Sequence, residues 1–222
     1  MVALVMYSDQ IIPENAKIDE RLLDLLAERG RRIGYVSSGP EPDRRFYNER
    51  QAYYAKLDID LRVFFDTSAS VEEGQLATLF DCDAIHLSGG NTRVFLHLLK
   101  INKLLERLAE WAQKGGLLIG TSAGAILMTP TVALDAIFSD DDPWAIRNSK
   151  ALGIVPFEFF PHLNENSDHL PKLFAYSSQT SRSIAACRDG DGVVVNGDAI
   201  ESIGDVVWIR NGEQVDPMTM VR

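Results

Sequence analysis

Residues 117–124 have the sequence LLIGTSAG, in which an apolar segment runs into a Gly-x-Ser-x-Gly pattern centred on Ser122. The apolar part predicts a β-strand over 117–120, and the small apolar residues 125–128 predict a helix behind the turn. Such a strand, turn and helix form a nucleophile elbow, which lifts a serine above the carboxyl edge of a parallel sheet. The alternative is a structural turn without chemistry. We therefore treat Ser122 as a candidate nucleophile in an α/β fold.

Four more apolar, β-rich segments precede this strand, at 2–7, 32–37, 59–65 and 84–88. Because strands covered on both faces are apolar almost throughout, the segments are typical of a parallel sheet. Helical patterns lie between them, at 18–26, 42–57, 71–79 and 92–113. This alternation predicts a doubly wound, mostly parallel α/β sheet.

The pattern changes in the last forty residues. Short β-rich segments at 183–187, 193–195, 199–203 and 206–210 are separated by Asp-Gly, Asn-Gly and Gly-Asp pairs, which favour tight turns. We expect an antiparallel meander that extends the sheet. Since no linker rich in Pro, Gly or Ser separates it, the prediction is a single domain over 1–222.

Composition excludes several classes of function. The chain has 222 residues and a net charge of −10, so an acidic surface would repel nucleic acid and anionic lipid. The apolar start is too short for a signal peptide, and the uncharged stretch 115–134 is too rich in Gly, Ser, Thr and Pro for a membrane helix. Cys82 and Cys187 are interpreted as core thiols, which indicates a reducing compartment, by default the cytoplasm.

A second glycine cluster, residues 88–92 with the sequence SGGNT, also ends a strand and begins a helix. Taken alone it is a turn with Asn91 or Thr92 as the helix N-cap. If its strand lies next to that of Ser122, Gly89 or Gly90 could supply one oxyanion N–H and Ala123 the other. Neither glycine cluster has a nucleotide-binding spacing, and the acidic run 140–142 lacks paired ligand spacing. No cofactor and no metal are therefore expected.

A serine nucleophile needs a base, and four histidines are candidates. His86 lies within a strand, His97 within an amphipathic helix and His169 in a polar loop. His162 follows the apolar run 152–161 and is favoured because it stands just beyond an expected strand end. The orienting carboxylate stays open: Asp189, before Gly190, is a candidate catalytic residue and equally a simple turn residue.

Three separated motifs together resemble the peptidase E family of serine peptidases, also called dipeptidase E or aspartyl dipeptidase, to which cyanophycinase is related. They are residues 88–92, residues 120–125 followed by Pro130-Thr131, and residues 152–157 leading to Pro161-His162. The resemblance implies a fold similar to class I glutamine amidotransferases and a Ser-His-Glu/Asp triad. It assigns Ser122 as nucleophile and His162 as base. The third member is usually Glu; Asp189 stands at the matching turn, with Asp191 close by.

The resemblance also implies a substrate class, short peptides with a possible preference for N-terminal aspartate. Candidate substrate-binding residues are Asn91, Asp141, which belongs to an Asp-x-Pro element, and Lys172. Family members that prefer aspartate carry a longer segment with an arginine after the histidine, whereas residues 163–188 are short, with Lys172 and Arg182 as internal cations. Lysine lacks the planar fork of arginine.

The expectation is thus a serine-type dipeptidase acting through an acyl-enzyme on Ser122, as a monomer or homodimer that binds neither nucleic acid nor membrane. Two alternatives stay open. One is another acyl hydrolase, a cyanophycinase-like isopeptidase or an esterase. The other is a non-catalytic protein that binds small molecules on the same fold.

Overall fold

The computed structural model describes residues 1–146 and 149–216 of the chain. Its strands are β1 (Ala3–Tyr7), β2 (Arg32–Val36), β3 (Asp60–Phe65), β4 (Ala84–Leu87), β5 (Leu117–Thr121), β6 (Glu158–Phe160), β7 (Ile184–Ala186), β8 (Gly192–Asn196), β9 (Ala199–Ile203), β10 (Val207–Arg210) and β11 (Glu213–Gln214). Its α-helices are α1 (Ala16–Leu26), α2 (Arg45–Ala55), α3 (Glu73–Phe80), α4 (Thr92–Ile101), α5 (Leu104–Gln113), α6 (Ala123–Ile126) and α7 (His169–Ser177). Within the described ranges there are three short 3-10 segments, Pro13–Asn15, Ala133–Ser139 and Pro143–Ala145.

The central sheet has the strand order β3-β2-β4-β5-β1-β8-β9 in the described residues. The first five strands of that order are parallel, and β8 and β9 add an antiparallel edge beyond β1. All five residues of β1 are buried, as are all five of β5, because helices cover both faces of the sheet. The predicted doubly wound, mostly parallel α/β class is confirmed, and each predicted parallel strand matches within one residue at either end.

Two hydrophobic layers flank the sheet, one on each face. In β1, Leu4 and Met6 belong to the layer under α3, α4, α5 and α6, whereas Val5 and Tyr7 belong to the layer under α1 and α2. This alternation follows from the two-residue period of side chains along a strand. Because the two layers pack against both faces of β1 and β5, the carboxyl ends of these strands are held in fixed positions.

The single helix predicted over 92–113 is wrong, because the chain forms α4 and α5 with a break between them. Lys103 at the break has φ of 53°, a left-handed conformation that a continuous helix does not contain. The side-chain amide of Asn102 donates to the carbonyl of Thr67 at 2.7 Å, which holds the break against the loop after β3. The apolar periodicity continues across the break, so the pattern alone did not reveal it.

The predicted C-terminal meander is correct in part. β8 and β9 extend the central sheet, but β7 and β10 belong to a second sheet with the order β11-β10-β7-β6. β7 pairs in parallel with β6 and antiparallel with β10. Turn residues predict where the chain reverses direction, but they do not predict which sheet edge each strand joins. The strand β6, with which β7 pairs, is only three residues long, and the sequence did not predict that pairing.

The second sheet has its own apolar cluster, in which Phe160, Leu173 and Ile209 are buried together with the 3-10 segment Ala133–Ser139. It stands beside the carboxyl ends of β1 and β5, since the loops that follow β6 and β7 return to that edge. Cys82 and Cys187 are buried and unpaired, as expected for core thiols, and burial raises the pKa of Cys187 well above its ordinary value. Among the described residues, no helix combines the length and apolar character needed to cross a membrane.

Candidate active site

Ser122 stands in a strained turn between β5 and α6. Its φ of 49° and ψ of −109° lie outside the regions that L residues ordinarily occupy, at a cost of about 1–3 kcal/mol. The backbone N–H of Ser122 donates to the carbonyl of Tyr7 at 3.0 Å, which fixes the turn to the end of β1. The residue is partly exposed, so its hydroxyl faces a cavity and is not enclosed in the core.

The flanking glycines are required by close backbone approach. A Cβ on Gly120 would lie 2.6 Å from the backbone N of Ala125, and one on Gly124 would lie 2.1 Å from the carbonyl O of Leu87. Both distances are far below van der Waals contact, so any side chain would force the strand and helix apart. A strand, a turn at Ser122 and a helix therefore follow one another where the Gly-x-Ser-x-Gly pattern predicts them.

The second glycine cluster lies beside this turn, because β4 and β5 are neighbours in the sheet. Gly90 has φ of 136°, and a Cβ there would lie 2.2 Å from Oγ of Ser38. Ser38 donates from Oγ to the carbonyl of Gly89 at 2.7 Å, which orients the turn. Both Gly89 and Gly90 line a cavity together with Ser122. Their backbone N–H groups, with that of Ala123, are therefore candidates for binding an oxyanion.

His162 is the histidine that reaches Ser122. It follows β6 by two residues and has φ of 55°, and its Nε2 lies 2.9 Å from Oγ of Ser122. Its backbone N–H donates to Oγ of Ser8 at 2.8 Å, so the loop is tied to the residue that follows β1. The imidazole is 21% exposed, which leaves it accessible from the same cavity as the serine.

Asp189 completes a chain of hydrogen bonds. Its Oδ1 lies 2.6 Å from Nδ1 of His162, and its Oδ2 accepts from the side-chain amide of Asn164 at 3.2 Å. The backbone N–H of Asp189 donates to Oδ1 of Asn164 at 2.8 Å, so Asn164 holds the carboxylate from two sides. Because a carboxylate accepts hydrogen bonds, Nδ1 is the donor and Nε2 is left to accept from the serine hydroxyl.

The other candidates for the carboxylate are placed differently. Asp191 accepts from the backbone N–H groups of Arg188 at 3.1 Å and Asp205 at 3.0 Å, which is a structural turn role away from the imidazole. Glu165, which the sequence did not suggest, has a carboxylate oxygen 3.9 Å from Nδ1 of His162, beyond hydrogen-bond range. The geometry thus favours Asp189 as the partner of His162.

The remaining histidines lie elsewhere. His86 is fully buried, bonds through Nδ1 to the Tyr54 hydroxyl at 2.8 Å, and burial lowers its pKa well below the ordinary value. His97 lines a separate cavity beside Lys100. His169 begins α7, where burial lowers its pKa.

A cavity of about 480 Å³ opens on one side of Ser122, lined by His162, Phe138, Asp141 and Arg93 among others, and we call it the Arg93 cavity. The Arg93 guanidinium donates to Asp135 at 3.0 Å and to Asp141 at 2.9 Å. That bond from Arg93, together with one from Ser139, holds the pKa of the Asp141 carboxyl below its ordinary value.

The structure places two of the three predicted substrate-binding residues at the Arg93 cavity and the third away from it. Asn91 and Asp141 line the Arg93 cavity, although the side chain of Asn91 also caps α4 by accepting from the N–H of Val94 at 3.0 Å. Lys172 does not reach it. The ammonium group of Lys172 pairs with Asp140 and lines a different surface depression beside Trp144. Arg182 pairs with the buried Glu158 at 3.2 Å.

Sequence reasoning missed three residues of this site, namely Ser8, Arg93 and Asn164. Ser8 is fully buried, and its Oγ lies 3.4 Å from Oδ1 of Asp189. Its position as the first polar residue after the apolar strand β1 was an available signal, because ligands bind at the carboxyl ends of such strands. Arg93 and Asn164 carried no such signal, since each lies one or two residues from a motif residue without belonging to the motif.

His162, Glu165 and Asp189 also form a group that could hold a metal ion, with one ligand atom of each within 4.8 Å of the others. A metal on Nδ1 would replace the hydrogen bond between His162 and Asp189. Nδ1 of His162 can therefore either bind a metal ion or donate to Asp189, but not both.

Comparison with known proteins identifies the family of the chain. A family model matches residues 4–203, nearly the whole chain. The model describes Peptidase family S51, and the chain belongs to this family. The resemblance found in the three motifs is confirmed by this match.

Individual relatives agree with this assignment. An uncharacterized peptidase of Listeria innocua is 36% identical over 89 residues, covering 40% of this chain and 43% of the relative. Peptidase E of Citrobacter koseri is 32% identical over 87 residues, 39% of this chain and 37% of that protein. The chain thus spans less than half the length of these relatives in the matched segments. A crystal structure of a candidate peptidase E protein from Listeria monocytogenes EGD-e has a TM-score of 0.70 at 21% identity, covering 91% of this chain and 98% of that one.

Proposed function

We propose that the protein is a serine-type peptidase that hydrolyses short peptides through an acyl-enzyme on Ser122. The observation that carries the proposal is one imidazole bridging two groups: Nε2 of His162 lies 2.9 Å from Oγ of Ser122, and Nδ1 lies 2.6 Å from Asp189. Membership of a peptidase family supports the reaction class, and this bridge supports a serine mechanism. A catalytic triad consists of a nucleophile, a base that is hydrogen-bonded to it, and a carboxylate that orients the base.

In the acylation step, Oγ of Ser122 attacks the scissile carbonyl carbon while its proton passes to Nε2 of His162. The carbonyl oxygen becomes an oxyanion, for which the N–H groups of Gly90 and Ala123, with Gly89 beside them, are the proposed donors. The C–N bond then breaks, and the proton on Nε2 goes to the leaving amine. Asp189 balances the positive charge that the imidazole carries between these events.

In the deacylation step, a water molecule replaces the departed amine. His162 takes a proton from this water as its oxygen attacks the ester carbonyl, and returns the proton to Oγ of Ser122 when the ester bond breaks. The products are a carboxylic acid and the restored serine hydroxyl. No cofactor is part of this proposal.

Selectivity for an N-terminal aspartate is a separate matter. A substrate carboxylate in the Arg93 cavity would meet a guanidinium already paired with Asp135 and Asp141. These three groups sum to one negative charge, which opposes a further carboxylate. We therefore propose that the enzyme has no strong preference for an N-terminal aspartate and accepts other N-terminal residues as well.

The test combines a covalent probe with a substrate panel. A fluorophosphonate should label the wild-type protein on Ser122, as located by mass spectrometry, and leave Ser122→Ala unlabelled. Ser122→Ala should lose at least about a thousandfold in kcat/KM on short peptides while its melting temperature is retained. Turnover in Ser122→Ala equal to that of the wild type would overturn the proposal.

The panel itself contains Asp-X dipeptides, Ala-X dipeptides, β-aspartyl peptides and p-nitrophenyl esters. Cleavage confined to β-aspartyl peptides would assign an isopeptidase, and cleavage confined to esters would assign an esterase. A protein that neither reacts with the probe nor cleaves any substrate would be a binding protein on this fold.

A further inference from the structure

A second cavity, of about 340 Å³, opens on the other side of the candidate nucleophile. We call it the Arg50 cavity, and it is lined by Tyr35, Ser38, Glu41 and Arg50. Gly90, Ser122 and His162 line both this cavity and the Arg93 cavity. A scissile bond held at Ser122 would therefore have one cavity for each of its two sides.

The two cavities differ in the state of their arginines. Arg93 is neutralised by Asp135 and Asp141. Arg50 has no ion pair with any described carboxylate, and its Nη1 donates to Oε1 of Gln10 at 2.6 Å. Its Nε is buried and has no hydrogen-bond partner among the described residues. A guanidinium has five N–H donors, so Arg50 retains capacity for an anionic ligand.

The carboxylates around Arg50 are committed to other partners. Glu41 accepts from the backbone N–H of Tyr47 at 2.7 Å, and burial raises the pKa of its carboxyl above the ordinary value. Asp9 accepts from the backbone N–H of Gln10 at 2.6 Å. Asp19 accepts from the hydroxyls of Tyr7 and Tyr53. None of these carboxylates neutralises Arg50 through a direct ion pair, and Arg50 is the one Lys or Arg among the described residues lining the cavity.

Arg50 is also connected to the nucleophile turn. Gln10 Oε1 accepts from Nη1 of Arg50 and from Oγ1 of Thr121 at 2.8 Å, and Thr121 precedes Ser122 in the chain. Two hydrogen bonds therefore separate the guanidinium from the turn. In a dipeptide, one residue of at most about 3.6 Å separates the scissile carbonyl from the terminal carboxylate. A carboxylate one residue beyond the cleaved bond therefore stays close to Ser122, which lines the Arg50 cavity.

We propose that Arg50 binds the free C-terminal carboxylate of a dipeptide, so that the leaving amino acid occupies the Arg50 cavity and the N-terminal ammonium faces the acidic Arg93 cavity. This inference rests on the proposed peptidase function. The terminal carboxylate then meets the one of the two guanidiniums that no described carboxylate pairs with, and a peptide extended by another residue loses this contact. The exposed ring of Phe46, which also lines the Arg50 cavity, offers an apolar surface to the leaving side chain.

The experiment compares kcat/KM for a dipeptide with a free carboxylate, its C-terminal amide, and the tripeptide extended by one leucine. The dipeptide is whichever of Asp-Leu and Ala-Leu the wild-type enzyme cleaves faster. We expect the wild type to prefer the free dipeptide over both derivatives by about tenfold or more, as for a charge-assisted pair in a partly buried site.

Variants then locate this preference. Arg50→Gln should lower kcat/KM for the free dipeptide by about tenfold and change that for the amide by less than about twofold. Arg50→Lys should recover part of the loss, since it restores the charge without the fork. The matched control is Arg62→Gln, because Arg62 is exposed, pairs with Asp60 and does not line the cavity; its kinetics should equal those of the wild type. Melting temperatures of all variants are recorded to detect loss of folding.

The outcomes separate the inference from the proposed function. Equal wild-type cleavage of the dipeptide and its amide, or an equal loss on both substrates in Arg50→Gln, would overturn the role of Arg50 and leave the peptidase function standing. Failure of the wild type to cleave any of the peptides, or undiminished activity in Ser122→Ala, would overturn both.

Discussion

Oδ1 of Asp189 lies 2.6 Å from Nδ1 of His162, whereas the nearest carboxylate oxygen of Glu165 lies 3.9 Å from the same nitrogen. Two carboxylates thus share the neighbourhood of one imidazole, but only one is within hydrogen-bond distance. Since orientation of the imidazole depends on that bond and not on charge nearby, the two carboxylates should contribute very differently.

Asp189→Asn should therefore lower kcat by about a hundredfold or more, because an amide can donate to Nδ1 and stabilise the wrong tautomer. Glu165→Gln, the matched control, should change kcat by less than about threefold, as expected for an exposed pair. Steady-state kinetics on the best dipeptide of the panel measure both. A larger loss in Glu165→Gln than in Asp189→Asn would mean that Glu165 is the orienting residue.

Charge in the Arg93 cavity should set the response to N-terminal aspartate. Asp141→Asn removes one of the two carboxylates that pair with Arg93 and leaves the guanidinium more available. We expect the kcat/KM ratio of Asp-X to Ala-X to rise by about fivefold, because the cavity loses one negative charge.

Asp142→Asn serves as the control for Asp141→Asn, since Asp142 caps the following 3-10 segment through the N–H of Trp144 and does not line the Arg93 cavity. Its Asp-X to Ala-X ratio should stay at the wild-type value. An unchanged ratio in Asp141→Asn as well would show that Arg93 does not meet the substrate's N-terminal residue.

The elbow should not tolerate a side chain at Gly124. Because the new Cβ would lie 2.1 Å from the carbonyl O of Leu87, Gly124→Ala should lower the free energy of unfolding by at least about 2 kcal/mol. The control is Gly74→Ala in α3, where nothing lies within 4 Å, and where alanine should raise stability by up to about 1 kcal/mol. Urea titrations measure both. A Gly124→Ala variant as stable as the wild type would mean that β4 and α6 are not in close contact.

Stability should fall at mildly acidic pH because of His86. Burial lowers the pKa of its imidazole well below 6.5, so the unfolded chain takes up a proton before the folded one does. The stabilisation is complete above the unfolded pKa and is lost as the pH falls below it, by at most about 1.4 kcal/mol per pH unit.

His86→Asn keeps a polar partner for the Tyr54 hydroxyl but does not titrate. Between about pH 7.5 and about pH 5.5, the wild type should lose about 1 kcal/mol more of its unfolding free energy than this variant does. Asp19 and Glu41, whose pKa values are raised by burial, are present in both proteins and cancel in the comparison. Identical pH profiles would mean that His86 is accessible to protons in the folded state.

The sequence by itself determined the parallel half of the sheet and the turn at Ser122, and it favoured His162, which lies 2.9 Å from Ser122 in the structure. Its strands are apolar and bounded by turn residues, so their ends are local properties that lie within one residue of the observed ones. The family resemblance could also be found in the sequence, because the glycines that permit close backbone approach recur at fixed spacings within the motifs. Local signals are strongest where the backbone itself is constrained.

Only the tertiary structure decided which elements meet. The break at Lys103, the pairing of β7 with β6, and the position of Lys172 away from the Arg93 cavity all depend on contacts between residues distant in the chain. The same holds for Ser8, Arg93 and Arg50, whose surroundings come from several elements at once. The local sequence around a charged residue or a strand is the same whether or not an ion-pair partner or a neighbouring strand lies beside it. Only the packing of distant segments brings that partner into contact.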